Sequence, residues 1–503
     1  MIGNAAHDGS QTGRPYPNIV YLMADDMGYG DPGCYNPQSR IPTPNMDRLA
    51  AEGIRFTDAH SPSAVCTPTR YGVLTGRYCW RSSLKHQVLY SYEPSLIEKN
   101  RLTVAGMLKT VGYDTACIGK WHLGLGYSAR PGEWVDFGRP LPWPSVGRPL
   151  EEKIDFTQPL RDGPVDLGFD YFYGTSGCAT AQPPYGFIEN DHFVDIPSVY
   201  HEVPVLTSRP GMMALGWDHK DVDPVFCREA VRYIEDQAHN DTPFFLYLNP
   251  SAPHEPCVES VVPEFARGKS GAGPRGDLVW LVDWMVGKIM DALDATGQAD
   301  STLFIMTSDN GALPGDRVIL ESGKQAYNRY DHKSCGDWRG YKSHIWDGGH
   351  REPLIIRWPG VVQPGAVSDE LICLTDLMAT SAAIVEYDLP DDAGEDSYNI
   401  LPALTGDTGK ASMRESVIHH SCFGVFSIRQ DAWKLILETQ GSGGWPPPSG
   451  GGPEMGAPGQ LYNLREDPQE TTNLWDHRID VVKRLIELLK TYKEGGRSVP
   501  LAR

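Results

Sequence analysis

A chain of 503 residues with 40% hydrophobic content can bury a large core and divide into more than one domain. Its 65 Asp and Glu against 45 Lys and Arg leave a formal net charge of -20, which argues against nonspecific binding to nucleic acid or heparin-like polyanions and demands a local basic pocket for any anionic substrate. No apolar run reaches the roughly 18 residues of a membrane span, and the ten cysteines show neither a Cys-x-x-Cys pair nor a metal-finger spacing, so no zinc module or disulfide framework can be read from them.

Residues 1–17 are polar, lack the charged-then-apolar pattern of a signal peptide, and read as a disordered leader. The native chain is then cytoplasmic, or periplasmic or secreted with a signal removed. Residues 19–24 are continuously apolar and end at Asp25-Asp26, which predicts a strand buried on both faces of a parallel sheet with its carboxyl end at a site. Thr43-Pro44 begin a short helix that Gly53 closes, and 54–56 open the next strand. Thr67 reads as the N-cap and Pro68 as the first residue of a helix stopping near Gly76. That puts Cys66 at a positive helix end, where free N–H groups favour an anion, and Arg70 adds a full charge one turn on. Taken alone, Cys66-x-Pro68-x-Arg70 reads equally well as a buried Cys beside a capped helix.

A helix over 103–111 and a strand over 115–118 lead into Gly119-Lys120-Trp121-His122-Leu123-Gly124. Residues 127–213 are rich in Pro, Gly and aromatics with little periodicity, and read as a pocket wall. Order returns with a helix over 223–239, a buried strand over 244–248 ending before His254, a helix over 278–293, a strand over 303–307 ending at Asp309-Asn310, a strand over 354–358 and a helix over 375–385. Beyond 387 the character shifts. Short runs at 416–419, 425–429 and 434–437 predict a small antiparallel sheet, interrupted by a flexible stretch over 441–459 and covered by an amphipathic helix over 479–492.

Cys66-x-Pro68-x-Arg70 followed by Leu74-Thr75-Gly76-Arg77 resembles the signature of the type I sulfatases, and Leu461-Tyr462-Asn463-Leu464 with Asp467-Pro468 and Asn473-Leu474 resembles their C-terminal subdomain. The resemblance implies an alkaline-phosphatase-like α/β fold: a large mixed, mostly parallel sheet sandwiched by helices over 18–387, with a smaller subdomain of antiparallel sheet plus helix over 388–503. It also implies that a maturation enzyme, formylglycine-generating or equivalent, oxidises Cys66 to formylglycine, an aldehyde whose hydrate has one hydroxyl to attack sulfur and one to expel the product.

Asp25, Asp26, Asp309 and Asn310 fall at carboxyl ends of predicted parallel strands, and four side-chain oxygens from two distant segments suit a hard cation, calcium rather than magnesium. Either pair alone reads more readily as a cap or turn, but both match the family's metal positions. By the same resemblance Arg70, Lys120 and Lys342 bind sulfate, His122 is the base on the formylglycine hydroxyl, and His254 is the acid that protonates the leaving alcohol. Without it, Lys120-x-His122 is an ordinary surface pattern and His254 an ordinary core histidine. Asp347 stands where many relatives carry Glu, a conservative departure.

The substrate side is read from the loops. The aromatic-rich wall and the segment 329–338, which holds Tyr330, Asp331, His332 and Asp337, suit a carbohydrate better than a steroid, with His332, Asp331 and Arg351 as substrate-binding candidates. The expected ligand is therefore a sulfated small molecule or short oligosaccharide attacked at a chain end. The competing readings are a phosphonate or phosphate-ester hydrolase of the same superfamily and, were Cys66 unmodified, a catalytically silent sugar-binding protein.

Overall fold

The structure, a computed structural model, describes residues 16–137, 148–202, 208–313, 318–319, 325–326, 329–407, 413–438, 441–445 and 457–500. Most of the leader read over 1–17, part of the aromatic-rich loop and most of the stretch 441–459 lie outside them. In chain order the first elements are β1 (Asn18–Ala24), α1 (Pro44–Glu52), β2 (Ile54–Phe56), β3 (Ala59–His60), α2 (Cys66–Thr75), α3 (Val104–Thr110), β4 (Asp114–Lys120) and α4 (Arg148–Glu151). The loop region adds β5 (Tyr171–Thr175), β6 (Ile188–Glu189), β7 (His192–Phe193), β8 (Pro197–His201) and β9 (Gly211–Ala214). Then follow α5 (Val222–Gln237), β10 (Phe244–Asn249), α6 (Gly273–Ala295), β11 (Thr302–Ser308), the small hairpin β12 (Val318–Ile319) and β13 (Gln325–Ala326), β14 (Leu354–Arg357), β15 (Ala366–Ser368), β16 (Ile372–Cys373), α7 (Leu377–Ile384) and α8 (Leu401–Thr405). The last elements are β17 (Ser416–His420), β18 (Phe426–Gln430), β19 (Trp433–Ile436), β20 (Gln460–Asn463) and α9 (Ile479–Glu494).

Ten strands form one sheet in the order β15-β2-β14-β11-β1-β10-β4-β5-β6-β7. Its centre, β11-β1-β10-β4-β5, is parallel throughout. Alternation along β1 divides the core: Ile19, Tyr21 and Met23 pack on one face with the α2, α3 and α7 side, while Val20, Leu22 and Ala24 pack on the other with α1, α5 and α6. Strands apolar on both faces are what a sheet covered by helices on both sides requires, and this is the expected sandwich. The predicted strand at 354 is present but antiparallel to β11 and β2, because an apolar run carries no sign of direction. The long loop also holds more order than its composition suggested, since β5 extends the parallel sheet beside β4.

The four strands β17-β18-β19-β20 make a separate antiparallel sheet, whose apolar face is covered by Val482, Leu485 and Leu489 of α9. Ala393, Ile400, Ala403 and Leu404 belong to the large core. No helix among the described residues is long and apolar enough to cross a membrane.

Candidate active site

Parallel strands converge their carboxyl ends on one edge, and the candidate groups lie there. Asp25 and Asp26 follow β1, Asp309 and Asn310 follow β11, Lys120 ends β4 with His122 just beyond, and His254 lies five residues past β10. Against this edge stands α2, with Cys66 as its first residue. The helix starts two residues earlier than expected, with Val65 as an uncharged, extended N-cap and no side-chain cap. The Thr67 hydroxyl instead donates to the His122 carbonyl (3.0 Å) and accepts from Leu89 N–H (3.2 Å), tying the helix start to the His122 loop. At the other end Gly76 takes φ 62°, and a Cβ there would lie 2.9 Å from Gly394 Cα, so only glycine fits this left-handed cap.

The side chains interlock. Lys120 Nζ donates to Asp25 Oδ2 (2.6 Å) and Lys342 Nζ to Asp26 Oδ2 (2.7 Å). Arg70 donates through Nε and Nη2 to Asp309 Oδ2 (3.1 and 2.8 Å) and through Nη1 to the Lys120 carbonyl (3.1 Å). Asn310 Nδ2 donates to Asp26 Oδ1 (2.8 Å), and Cys66 Sγ lies 3.5 Å from Asp25 Oδ1. None of these residues is more than 7% exposed, and His254 at that value is the most open. Three carboxylates and three cations in one buried cluster cancel formally. Asp26, His122 and Ser343, next to Lys342, all have positive φ (69°, 57° and 78°), a conformation that costs a non-glycine residue about 1–3 kcal/mol and persists where the surroundings fix it.

The donor set fits a hard divalent cation. Its oxygens are carboxylates and an amide, and Asn310 Oδ1 is buried with no hydrogen-bond partner, an acceptor that a cation would satisfy at a point where burial otherwise costs free energy. A dication would also turn the neutral cluster net positive, as an anionic ester requires.

The two imidazoles are oriented by backbone carbonyls. His122 Nε2–H donates to the Leu89 carbonyl (2.8 Å), which leaves Nδ1 as the lone-pair nitrogen facing the site. His254 Nδ1–H donates to the Glu255 carbonyl (2.8 Å), with Nε2 facing inward 3.9 Å from Asp26 Oδ2. Burial, with the Lys120 charge, brings His122 down to about 4, and burial with the Lys342 charge does the same for His254. Burial opposes the charge on Lys342, yet Asp26 holds its ammonium well above the usual lysine range.

One residue of the site was not anticipated. Cys178, from the loop between β5 and β6, lies 3.5 Å from His254 Nε2 and 3.8 Å from His122 Nδ1, and a ring nitrogen of that His254 lies within 4.8 Å of Cys66 Sγ. The Cys178 thiol, then burial, pushes the Cys66 thiol up to about 12. Burial acts the same way on Cys178, but the Cys66 thiol and the Lys120 and Lys342 charges bring it down to about 5. No motif spacing marks it in the sequence. Its only signal was a place in the loop read as pocket wall.

The substrate-binding candidates fare differently. His332 has Nε2 on Asp31 (2.8 Å) and Nδ1 accepting from Arg40 N–H (3.4 Å), so no ring nitrogen is left for a sugar hydroxyl. Arg351 is divided between Asp347 (2.9 Å) and Asp58 (2.7 Å) beneath the Trp338 ring. Both side chains are held by internal ties, where contact with substrate is the expectation from sequence. Asp331 is exposed, on the wall of a cleft of about 720 Å³ that also includes Trp338, Arg339 and Tyr341. Asp347, despite burial, is held well below the usual carboxylate range by Lys434 and Arg351.

Residues 17–387 match the family model described as Sulfatase. The chain is 32% identical over 516 aligned positions to an N-acetylgalactosamine-6-O-sulfatase of Bacteroides thetaiotaomicron, covering 95% of this chain and 93% of that one. It is 33% identical to human arylsulfatase A, covering 96% and 88%. Among solved structures, a Bacteroides thetaiotaomicron chain described under the metabolism of multiple glycosaminoglycans superposes with a TM-score of 0.78 at 29% identity, covering 95% of this chain and 100% of that one.

Proposed function

The chain belongs to the sulfatase family of sulfuric ester hydrolases, and on that premise we propose that it removes sulfate from a carbohydrate, using a formylglycine made from Cys66 by a maturation enzyme and a calcium ion held by Asp25, Asp26, Asp309 and Asn310. The observation that carries this reading is the single buried cluster in which Cys66 at the start of α2 meets Arg70, Lys120, Lys342, His122 and His254. A formylglycine hydrate at residue 66 would supply one hydroxyl to attack sulfur and a second whose deprotonation expels the product. Calcium, bound by hard oxygen donors, would offset the negative charge that develops on the sulfate oxygens.

The chain's own side chains do the rest. Arg70, Lys120 and Lys342 are anchored by carboxylates, so their charges are fixed in direction before substrate arrives, which is the preorganised arrangement that contributes most in a dry site. His122 is neutral with its Nδ1 lone pair toward residue 66, the state a base needs. His254 must gain a proton at Nε2 to act as acid. The negative charge of a bound sulfate ester offsets the Lys342 and Lys120 charges that now disfavour that proton.

The relatives named for N-acetylgalactosamine-6-sulfate make a 6-O-sulfated amino sugar the first substrate to try, with Asp331 the remaining candidate for contact with the sugar. A panel of sulfated mono- and oligosaccharides set against an aryl sulfate, a steroid sulfate and a phosphonate ester tests the reading. It predicts the highest kcat/KM on a sulfated sugar, and a preference for the steroid sulfate or the phosphonate overturns it. Asp331→Ala should raise KM for the sugar without changing the aryl sulfate, and an unchanged sugar KM removes Asp331 from the pocket.

A further inference from the structure

Cys178 has no part in the chemistry above, yet it reaches residue 66 from a loop more than a hundred residues away in sequence. Its thiol is buried, 3% exposed, and flanked by His254 Nε2 at 3.5 Å and His122 Nδ1 at 3.8 Å, and a ring nitrogen of the same His254 lies within 4.8 Å of Cys66 Sγ. The backbone holds it there, since Ala181 and Gln182 both donate to the Cys178 carbonyl (3.0 and 2.8 Å) and close a turn on it. If residue 66 is an aldehyde, three side chains around it are nucleophiles by chemical type besides the two imidazoles assigned as base and acid. Two of them, Lys120 and Lys342, are tied up as ammonium ions by Asp25 (2.6 Å) and Asp26 (2.7 Å) and have no lone pair to offer. Cys178 has no carboxylate on it among the described residues, and a sulfur nucleophile with a general base within reach is what carbonyl addition requires.

Resting on the formylglycine reading, we propose that Cys178 masks the aldehyde of residue 66 as a reversible hemithioacetal whenever no sulfate ester fills the pocket. The Cys178 sulfur adds to the carbonyl carbon, so a C–S bond forms and the carbon–oxygen π bond breaks. The thiol proton passes through His122 Nδ1 to the carbonyl oxygen, which becomes a hydroxyl. No atom is lost, and no oxidant or reductant is consumed. The reverse step returns thiol and aldehyde, and water then adds to give the hydrate. The mask keeps an electrophile from free amines and holds Cys178 where the leaving group will sit, so that substrate binding and unmasking compete for the same space.

The test uses the mature, folded enzyme. Cysteine labelled with ¹³C at its β-carbon carries the label into residue 66, whose carbon signal distinguishes aldehyde, hydrate and hemithioacetal. The wild type should show the hemithioacetal, and Cys178→Ser and Cys178→Ala the hydrate. An aminooxy probe should label residue 66 in the folded variants about tenfold faster, the factor expected if the mask is about 90% populated. Within the wild type alone, Cys178 should resist iodoacetamide until hydroxylamine captures the aldehyde, so the outcome does not depend on either variant folding. Peptide masses after denaturation separate the two readings. A formylglycine at residue 66 with a hydrate signal and a freely alkylated Cys178 overturns the mask alone, whereas a residue 66 that is wholly thiol overturns the mask and the formylglycine reading together.

Discussion

At the scale of single residues, role and stability are coupled in this site, and the variants must be chosen accordingly. Asp309 balances the Arg70 guanidinium, which is fully buried. Asp309→Ala would leave that charge unpaired, at a cost of about 3–5 kcal/mol, so a loss of activity would be confounded with a loss of fold. Asp309→Asn keeps the shape and an oxygen while removing the negative charge. It should abolish turnover and weaken calcium binding, and isothermal titration with calcium that finds the wild-type affinity would contradict the assigned ligand set. His254 offers a cleaner separation. His254→Ala should cost about 10²–10⁴-fold on sulfated sugars, whose alcohols are poor leaving groups, and much less on an aryl sulfate. Equal losses on the two would remove the acid role. Most of these residues were readable because short motifs fall at strand ends. Cys178, and the bonds that spend His332 on Asp31 and Arg351 on Asp58, were not, because each pair is joined only by the fold, as with Arg351 and Asp58, 293 positions apart in sequence.

At the scale of elements, α2 carries the nucleophile and its ends fix its position. Gly76 closes it in the left-handed region with Gly394 and Met378 packed against the missing side chain. Gly76→Ala should therefore destabilise the protein by the strain of that φ, about 1–3 kcal/mol, and displace the helix that positions Cys66. A lower melting temperature together with a lower kcat is the expected result, and an unchanged melting temperature would show that the cap tolerates a Cβ. The sequence made the central parallel strands plain because β1, β10 and β11 are continuous apolar runs bounded by turns and acids. It hid β5, where Tyr171-Phe172-Tyr173-Gly174-Thr175 sits in a Pro- and Gly-rich loop. It also hid the direction of β14 and the early start of α2, since Thr67 looks like a cap but its hydroxyl is used elsewhere.

At the scale of the whole molecule, the small sheet is locked to the large domain by a buried polar cluster. His60 and His350 come from the large domain and His419 from β17, with the His350 and His419 rings stacked at 3.7 Å and the His60 and His350 Nδ1 atoms 3.0 Å apart. Around them stand Asp58, Asp347 and Glu470 against Arg351, Arg429 and Lys434. Burial takes His60 down to about 4 against the pull of Asp58, and holds His350 and His419 well below the usual histidine range. Unfolded histidines titrate near 6.5, so between about pH 6.5 and 4 the unfolded chain binds more protons, and stability present above that range is lost as pH falls through it. The urea midpoint should drop between pH 7.5 and 5. His419→Phe should flatten that drop, because it keeps the stacked ring and removes a titrating imidazole, although it also lowers the midpoint at every pH by the loss of the Nδ1 bond to Ser427 Oγ (3.0 Å). A midpoint that does not move with pH would contradict the lock. The activity of the whole molecule turns on residue 66, and the most direct measurement is the mass of the peptide containing Cys66, taken from enzyme of known specific activity after denaturation. Formylglycine should be present in proportion to activity across preparations, and full activity with that peptide wholly in the thiol form would contradict the mechanism.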